Sequence, residues 1–214
     1  MNIYKKTPQL LCEKYWNKQR KITKNKSSKS TTIKDHRYVI NLNGCLLSYK
    51  PLKHVDFSDF ISVDNDFKHL PKLKNDIVLW RGIPKYHPIF EPYFKAIYNK
   101  IETLKKGDIL VNRSYMFGAH DRNIAEVFRH NLYEEGLLLK MNIKKGAQVS
   151  LTDFEGIMPR YSKWICLDKK EIKNGYMVEL DYILPDEKMK NNYFRIGITN
   201  FISNIKNIFN YSKK

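Results

Sequence analysis

The stretch DIVLWRGIP, residues 76–84, carries an apolar run straight into Arg81, with Gly82 behind it. A planar, permanently charged guanidinium in that place has two uses. It closes a salt bridge at the rim of the core, or it faces a cleft and holds an anion through paired hydrogen bonds. Other reactive residue types are scattered. His36, His54, His69, His87, His120 and His130 contain no HxxxH pair, and Cys12, Cys45 and Cys166 lie far apart, so a metal site lacks clustered ligands. Neither a P-loop pattern nor a Rossmann glycine pattern occurs.

Three unclustered cysteines also argue against a disulfide framework and for a reducing, intracellular setting. The first residues show no apolar segment of the secretory kind, and the longest apolar runs fall far short of the ~20 residues that a membrane helix needs. A hydrophobic fraction of 42% is enough to build a core across 214 residues. The net charge of +17, from 39 basic and 22 acidic residues, suits a polyanionic partner: nucleic acid, an anionic membrane surface or an acidic protein. A Lys/Asn/Ile-rich bias of AT-rich coding accounts for part of that charge, and by association suggests a virus, a phage or an AT-rich bacterium.

The charge is uneven. Residues 1–37 carry eleven Lys or Arg against Glu13 and Asp35. Their centre has little to bury and reads as a flexible basic arm, in which Lys18, Arg20, Lys21, Lys24, Lys26 and Lys29 could neutralise phosphates. A solvated tail with no partner fits the same residues. Tyr15 and Trp16 add aromatic surface for base stacking or for a protein contact.

From residue 38 to 185 the pattern is globular. YVINLNGCLLSY reads as a helix or a short strand pair, and DFSDFISVDNDFKHLP as a helix stopped at Pro71. IVLW reads as a four-residue strand. PIFEPYFKAIYNKIETL is an amphipathic helix with Phe90, Phe94, Ile97, Ile101 and Leu104 on one stripe. ILVNRSYMF is strand-like, and RNIAEVFRHNL is a short helix with Ile124, Val127, Phe128 and Leu132 as its apolar face. Four further strand candidates follow, GLLLKMNI, QVSLTDF, KWICL and YMVELDYIL. Helices first, then one helix among many strands, predicts an α+β domain. Residues 186–214 form a tail whose Ile198, Phe201, Ile202, Ile205, Ile208 and Phe209 share a helical stripe, for docking on the domain, a membrane surface or a partner.

The order of LPKLKND-IVLWRG, the long helix, KKGDILVNRSYMFGAHDRNIAEVF and then MPRYSKWICLDKK resembles the ADP-ribosyltransferase fold of the arginine-specific toxin type, over roughly residues 40–184. The resemblance implies N-terminal helices on two small, mainly antiparallel sheets that form an NAD cleft. It implies that Arg81, with Gly82, holds the NAD phosphates. The family's aromatic-x-Ser-Thr-Ser motif, aligned from Gly107, puts the aromatic on Tyr115 and the three hydroxyls on Phe117, Gly118 and Ala119, with the following A..F on Ala125 and Phe128. Ser114 offers a poorer match. The resemblance thus implies Tyr115 and Phe117 as cofactor neighbours. The family's Glu-x-Glu falls on Tyr161 and Lys163. A lysine there opposes the positive charge that develops as nicotinamide leaves.

Three functions follow as expectations. The first is an inactive transferase-like protein used for binding or assembly, with the arm on a polyanion, the tail on a protein partner, and NAD as a possible ligand. The second is an active, divergent NAD-dependent mono-ADP-ribosyltransferase in which His120, Asp121 or Glu155 replaces the missing carboxylate. The third is a nucleic-acid-binding structural protein. The expected place of action is the cytoplasm or a virus particle.

Overall fold

The computed structural model describes Val39 and residues 57–86, 91–129, 135–185 and 193–196. The basic arm, the 198–209 stripe and YVINLNGCLLSY beyond Val39 lie outside the described residues. The elements are helices α1 (Phe57–His69), α2 (Glu91–Glu102) and α3 (Arg122–Arg129). The strands are β1 (Ile77–Pro84), β2 (Ile109–Asn112), β3 (Met116–Ala119), β4 (Gly136–Ile143), β5 (Ser150–Leu151), β6 (Glu155–Met158), β7 (Ser162–Ile172), β8 (Gly175–Ile183) and β9 (Tyr193–Ile196). The domain is α+β.

Hydrogen-bonded pairing runs β5-β6-β3-β1-β4-β8-β7-β2-β9. It is antiparallel except for β4 with β8 and β2 with β9. Between β3 and β1 the ladder narrows to one register pair, Trp80↔Ala119, whereas β1 and β4 pair over eight. That narrow joint divides the sheet into a small half (β5-β6-β3) and a large half (β1 to β9), which is how the expected two-sheet arrangement is built.

The main core lies between the halves. Register places Leu79, Arg81 and Ile83 of β1 beside Met141, Leu139 and Leu137 of β4, then Leu180, Val178 and Tyr176 of β8. Side chains on paired residues share a face, so this is the inner face of the large half. The small half covers it with Met116 and Met158, and α2 covers it with Ile97, Tyr98 and Ile101, followed by Leu104. A second cluster, Phe60, Val63 and Phe67 of α1 with Tyr115, Ile157 and Val39, packs the outer side of the small half. Residues 60, 63 and 67 are the i, i+3, i+7 stripe of a helix, and Asp59 at its start with Lys68 and His69 at its end suits the helix dipole.

Several elements differ from the pattern reading. IVLW extends to eight residues, because Arg81 through Pro84 continue the ladder to β4. ILVNRSYMF splits at Arg113–Tyr115 into β2, on the large half, and β3, on the small half. β6 went unread, since EGIM holds one charged residue and a glycine in four. β9 falls inside the expected tail and pairs with the edge of β2, so the sheet runs past residue 185.

The face of α3 also differs. Its buried residues are Ala125 and Arg129, while Val127 and Phe128 are 46% and 38% exposed. The cause is close backbone approach. A Cβ on Gly82 would strike the Ala125 carbonyl oxygen and come within 2.5 Å of the Arg129 amide. The helix therefore presents its small residue to β1 and turns its bulky ones away. Arg129, 4% exposed, pairs with Glu126 at 2.7 Å and donates to the carbonyls of Lys173 (3.1 Å) and Asn174 (2.9 Å), fastening α3 to the β7–β8 turn.

Gly82→Ala should lower stability by about 3 kcal/mol, the upper end for overpacking against backbone, seen as a lower urea midpoint at unchanged m-value. At the far end of β1, Glu135 accepts from Lys85 (2.7 Å) and Tyr98 (2.6 Å) and joins α2 to the sheet. These bonds, Lys85 first, hold the Glu135 carboxyl below its ordinary value. Its folded pKa is depressed, so its contribution is present above the ordinary glutamate range and disappears as pH falls through it. The pair is well exposed and worth under ~1 kcal/mol. Glu135→Gln should accordingly flatten the decline of stability between pH 6 and 3, measured by urea unfolding across that range.

Candidate functional site

Arg81 is set on the inner face of β1 between Leu79 and Ile83, opposite Leu139. Those three neighbours are fully buried, yet Arg81 is only half-buried and its guanidinium makes no ion pair or hydrogen bond with the described residues. The small half covers the Leu79 end of the strand, where Gly118 and Gly156 rest on that side chain. The Lys85–Glu135–Tyr98 group ties α2 to the other end. Arg81 thus occupies the gap between two covers. Gly82 faces the other way, under α3, and its place in the motif is explained by helix packing.

The motif region of β3 is closed. Phe117 packs partly buried against the α1 cluster. Gly118 stands against Leu79, whose Cβ would lie 2.9 Å from an added Cβ, and against the Met141 methyl. No serine or threonine fits there without displacing the core. Tyr115 is fully buried, stacks on Phe67 with centroids 5.8 Å apart, and donates to Asp64 at 3.0 Å. Burial, with Asp64 beside it, pushes its phenol well above the ordinary tyrosine value. Its ring serves the α1 interface and offers no face to a ligand. Ser114 is 2% exposed and donates to Asn112 at 3.1 Å, so it is a lock on the β2–β3 crossing rather than a motif hydroxyl.

That crossing brings the two halves together at one end. Asn112 pairs with Ser162 at the start of β7, and Met116 begins β3 four residues later, at most ~14 Å of chain. The starts of β3 and β7 are therefore neighbours although they belong to different halves. At the start of β7, Tyr161 takes a left-handed φ of 60° and is 59% exposed. Lys163 is exposed on the face opposite Trp164, beside Val111 and Ile183. Residues 161–165 contain no acid.

The turn is held from behind by a group that sequence reasoning missed. Arg160 forms an ion pair with Asp64 of α1, with Nε 3.1 Å from Oδ1, and its guanidinium lies over the rings of Phe60, Tyr115 and Tyr161 at 5.2–5.8 Å. Burial works against the Arg160 charge, and Asp64 outweighs it. The partners are 96 residues apart, and no local pattern links them.

The substitute carboxylates have other work or a different address. Asp121 caps α3 by accepting the Asn123 amide at 2.8 Å. His120 shares a hydrogen bond with the Thr152 carbonyl at 3.1 Å. Glu155 begins β6, only 8% exposed, directly opposite Ala119 and on the side of Trp80. Among the described residues no group of three His, Cys, Asp or Glu side chains could hold a metal ion, and no helix is long and apolar enough to cross a membrane.

A small half and a large half joined at one strand pair, an arginine on the first strand and a crossing before the following helix define an ADP-ribosyltransferase fold. Solved structures agree. The Vis ADP-ribosyltransferase in complex with agmatine superposes with a TM-score of 0.52 over 92% of this chain and 96% of that one, at 11% identity. The Vis toxin from Vibrio splendidus gives 0.50 over 92% and 96%, at 10% identity. Plx2a, an ADP-ribosyltransferase toxin from Paenibacillus larvae, gives 0.50 over 80% and 94%, at 17% identity. No protein-family profile and no curated sequence matches the chain.

Replacing Arg160 by Met should cost about 3 kcal/mol, since it leaves the part-buried Asp64 carboxylate without its counter-charge, whereas Tyr115→Phe should cost about 1 kcal/mol. Chemical denaturation of the two variants beside wild type checks the ranking. An Arg160→Met loss no larger than that of Tyr115→Phe would mean that the ion pair does not fasten α1.

Proposed function

We propose that this chain uses the ADP-ribosyltransferase fold for binding or assembly and has lost the transfer chemistry. The observation that carries the reading is the start of β7, where the family pattern has its carboxylates and residues 161–165 contain no acid. An oxocarbenium-like centre needs negative charge beside it, and this segment supplies none. The closed position at Gly118 supports the same reading, because the hydroxyl motif cannot be rebuilt by a simple side-chain exchange. Arg81, charged and without a described partner in the gap between the halves, supports a retained anion site. A nucleotide phosphate, including that of NAD, suits it. The basic arm, with Lys18, Arg20, Lys21, Lys24, Lys26 and Lys29, is assigned a polyanionic partner, and the tail a protein partner, inside a cell or a virus particle.

A second reading has one observation of its own. Glu155 is a nearly buried carboxylate across from the last position of the hydroxyl motif, and it is the acid that an active, divergent transferase would use.

Calorimetric titration with NAD, together with a nicotinamide-release assay, tests both. Wild type should bind NAD without releasing nicotinamide, and Arg81→Ala should weaken binding at least ~10-fold, as loss of a charge-assisted pair implies. Lys163→Glu should leave affinity within a few-fold. Nicotinamide release by wild type, abolished in Glu155→Gln, would overturn the first reading in favour of the second.

A further inference from the structure

Just before β1 and just after β4, two segments are knitted into one frame. The Leu73 amide donates to the Ala147 carbonyl at 2.8 Å and the Gly146 amide to the Leu73 carbonyl at 3.0 Å. Lys72 bridges Gln148 antiparallel. The Gln148 side chain donates to the carbonyls of Lys68 and Leu70, both at 2.8 Å, and the Lys145 amide donates to Asp76 at 2.7 Å. Ala147 is buried and Leu73 packs on the main core. Lys72 and Lys74, one residue to either side of Leu73, are exposed, as are Lys68 and Lys145.

These four ammonium groups are not neutralised by their surroundings. Lys68 bonds the neutral side chain of Asn65 at 3.2 Å. Lys72, Lys74 and Lys145 make no ion pair among the described residues. The acid within the frame, Asp76, receives the Lys145 amide, and Lys144 at the margin is paired with Asp181 at 3.7 Å. The exposed surface between the lysines is His69, Pro71 and Asn75, with no aromatic or large aliphatic anchor.

We propose that this platform is a docking surface for the phosphate backbone of nucleic acid. A protein partner would need a buried aromatic or aliphatic hot spot, and the platform offers none. Lysines are point charges that suit phosphate oxygens, and several on one fixed frame release counterions together at little ordering cost. The inference shares with the proposed function the premise of a polyanionic partner. It moves that contact from the arm onto the folded domain, and it does not depend on the Arg81 gap.

The test uses the full chain and a fluorescein-labelled 20-base-pair duplex, followed by anisotropy across a salt series. The platform variant carries Lys68→Gln, Lys72→Gln, Lys74→Gln and Lys145→Gln, which keep the backbone bonds of the frame. A charge-matched variant carries Lys95→Gln, Lys105→Gln, Lys106→Gln and Lys173→Gln. The platform variant should lose about 3 from the slope of log affinity against log salt, with at least ~10-fold weaker binding at ~100 mM salt, while its NAD titration stays at the wild-type value. Equal losses in both variants would reduce the effect to net charge and overturn the proposal. So would unchanged binding by the platform variant, or an equal, platform-dependent affinity for polyglutamate. Failure of NAD binding alone would remove the proposed cleft and leave the platform standing.

Discussion

The joint between the two halves of the sheet is close-packed at positions 118 and 156, which carry no side chain. Both glycines rest on Leu79, and a Cβ at either would collide with it. This contact brings β3 and β6 against β1, which pairs with β3 through a single register pair. The third close approach, α3 on Gly82, works from the other side of β1. One strand is thus gripped on both faces by bare backbone. Such a strand tolerates little change in sequence at those points.

That division explains what could be read in advance. Periodicity revealed α1 and α2 because their stripes are wide and bury large residues, Phe60, Val63 and Phe67 in one, Ile97 and Ile101 in the other. It revealed β4, β7 and β8 as apolar runs. It failed at α3 for a physical reason: a helix packed on glycines buries its smallest residue, so the hydrophobic pattern points the wrong way. β6 was invisible because half of EGIM is glycine or glutamate, and β9 because a four-residue edge strand has too few positions to show a period. The α+β class and the two-sheet plan were legible. The Arg160–Asp64 clamp was not, as a pairing across 96 residues has no signature in a single sequence.

At the site, legibility ran the other way. Motif spacing singled out Arg81, Phe117 and Lys163, which lie on β1, β3 and β7, but the surroundings of each depend on contacts that spacing does not carry. Arg81 stands half-buried without a described counter-charge. Tyr115, which the resemblance implied as a cofactor neighbour, is a core residue held by Asp64.

The strand β9 bears on where this domain ends. It adds a parallel strand to β2, whose Ile109, Leu110 and Val111 are buried. With β9 gone, β2 would become the terminal strand of a large sheet, an apolar ladder with a free row of amides and carbonyls. Edges of that kind recruit whatever extended chain is at hand, including another copy of the same molecule. Proteolysis between Pro185 and Tyr193 would therefore do more than shorten the protein; it would replace a short edge strand by a buried, apolar one.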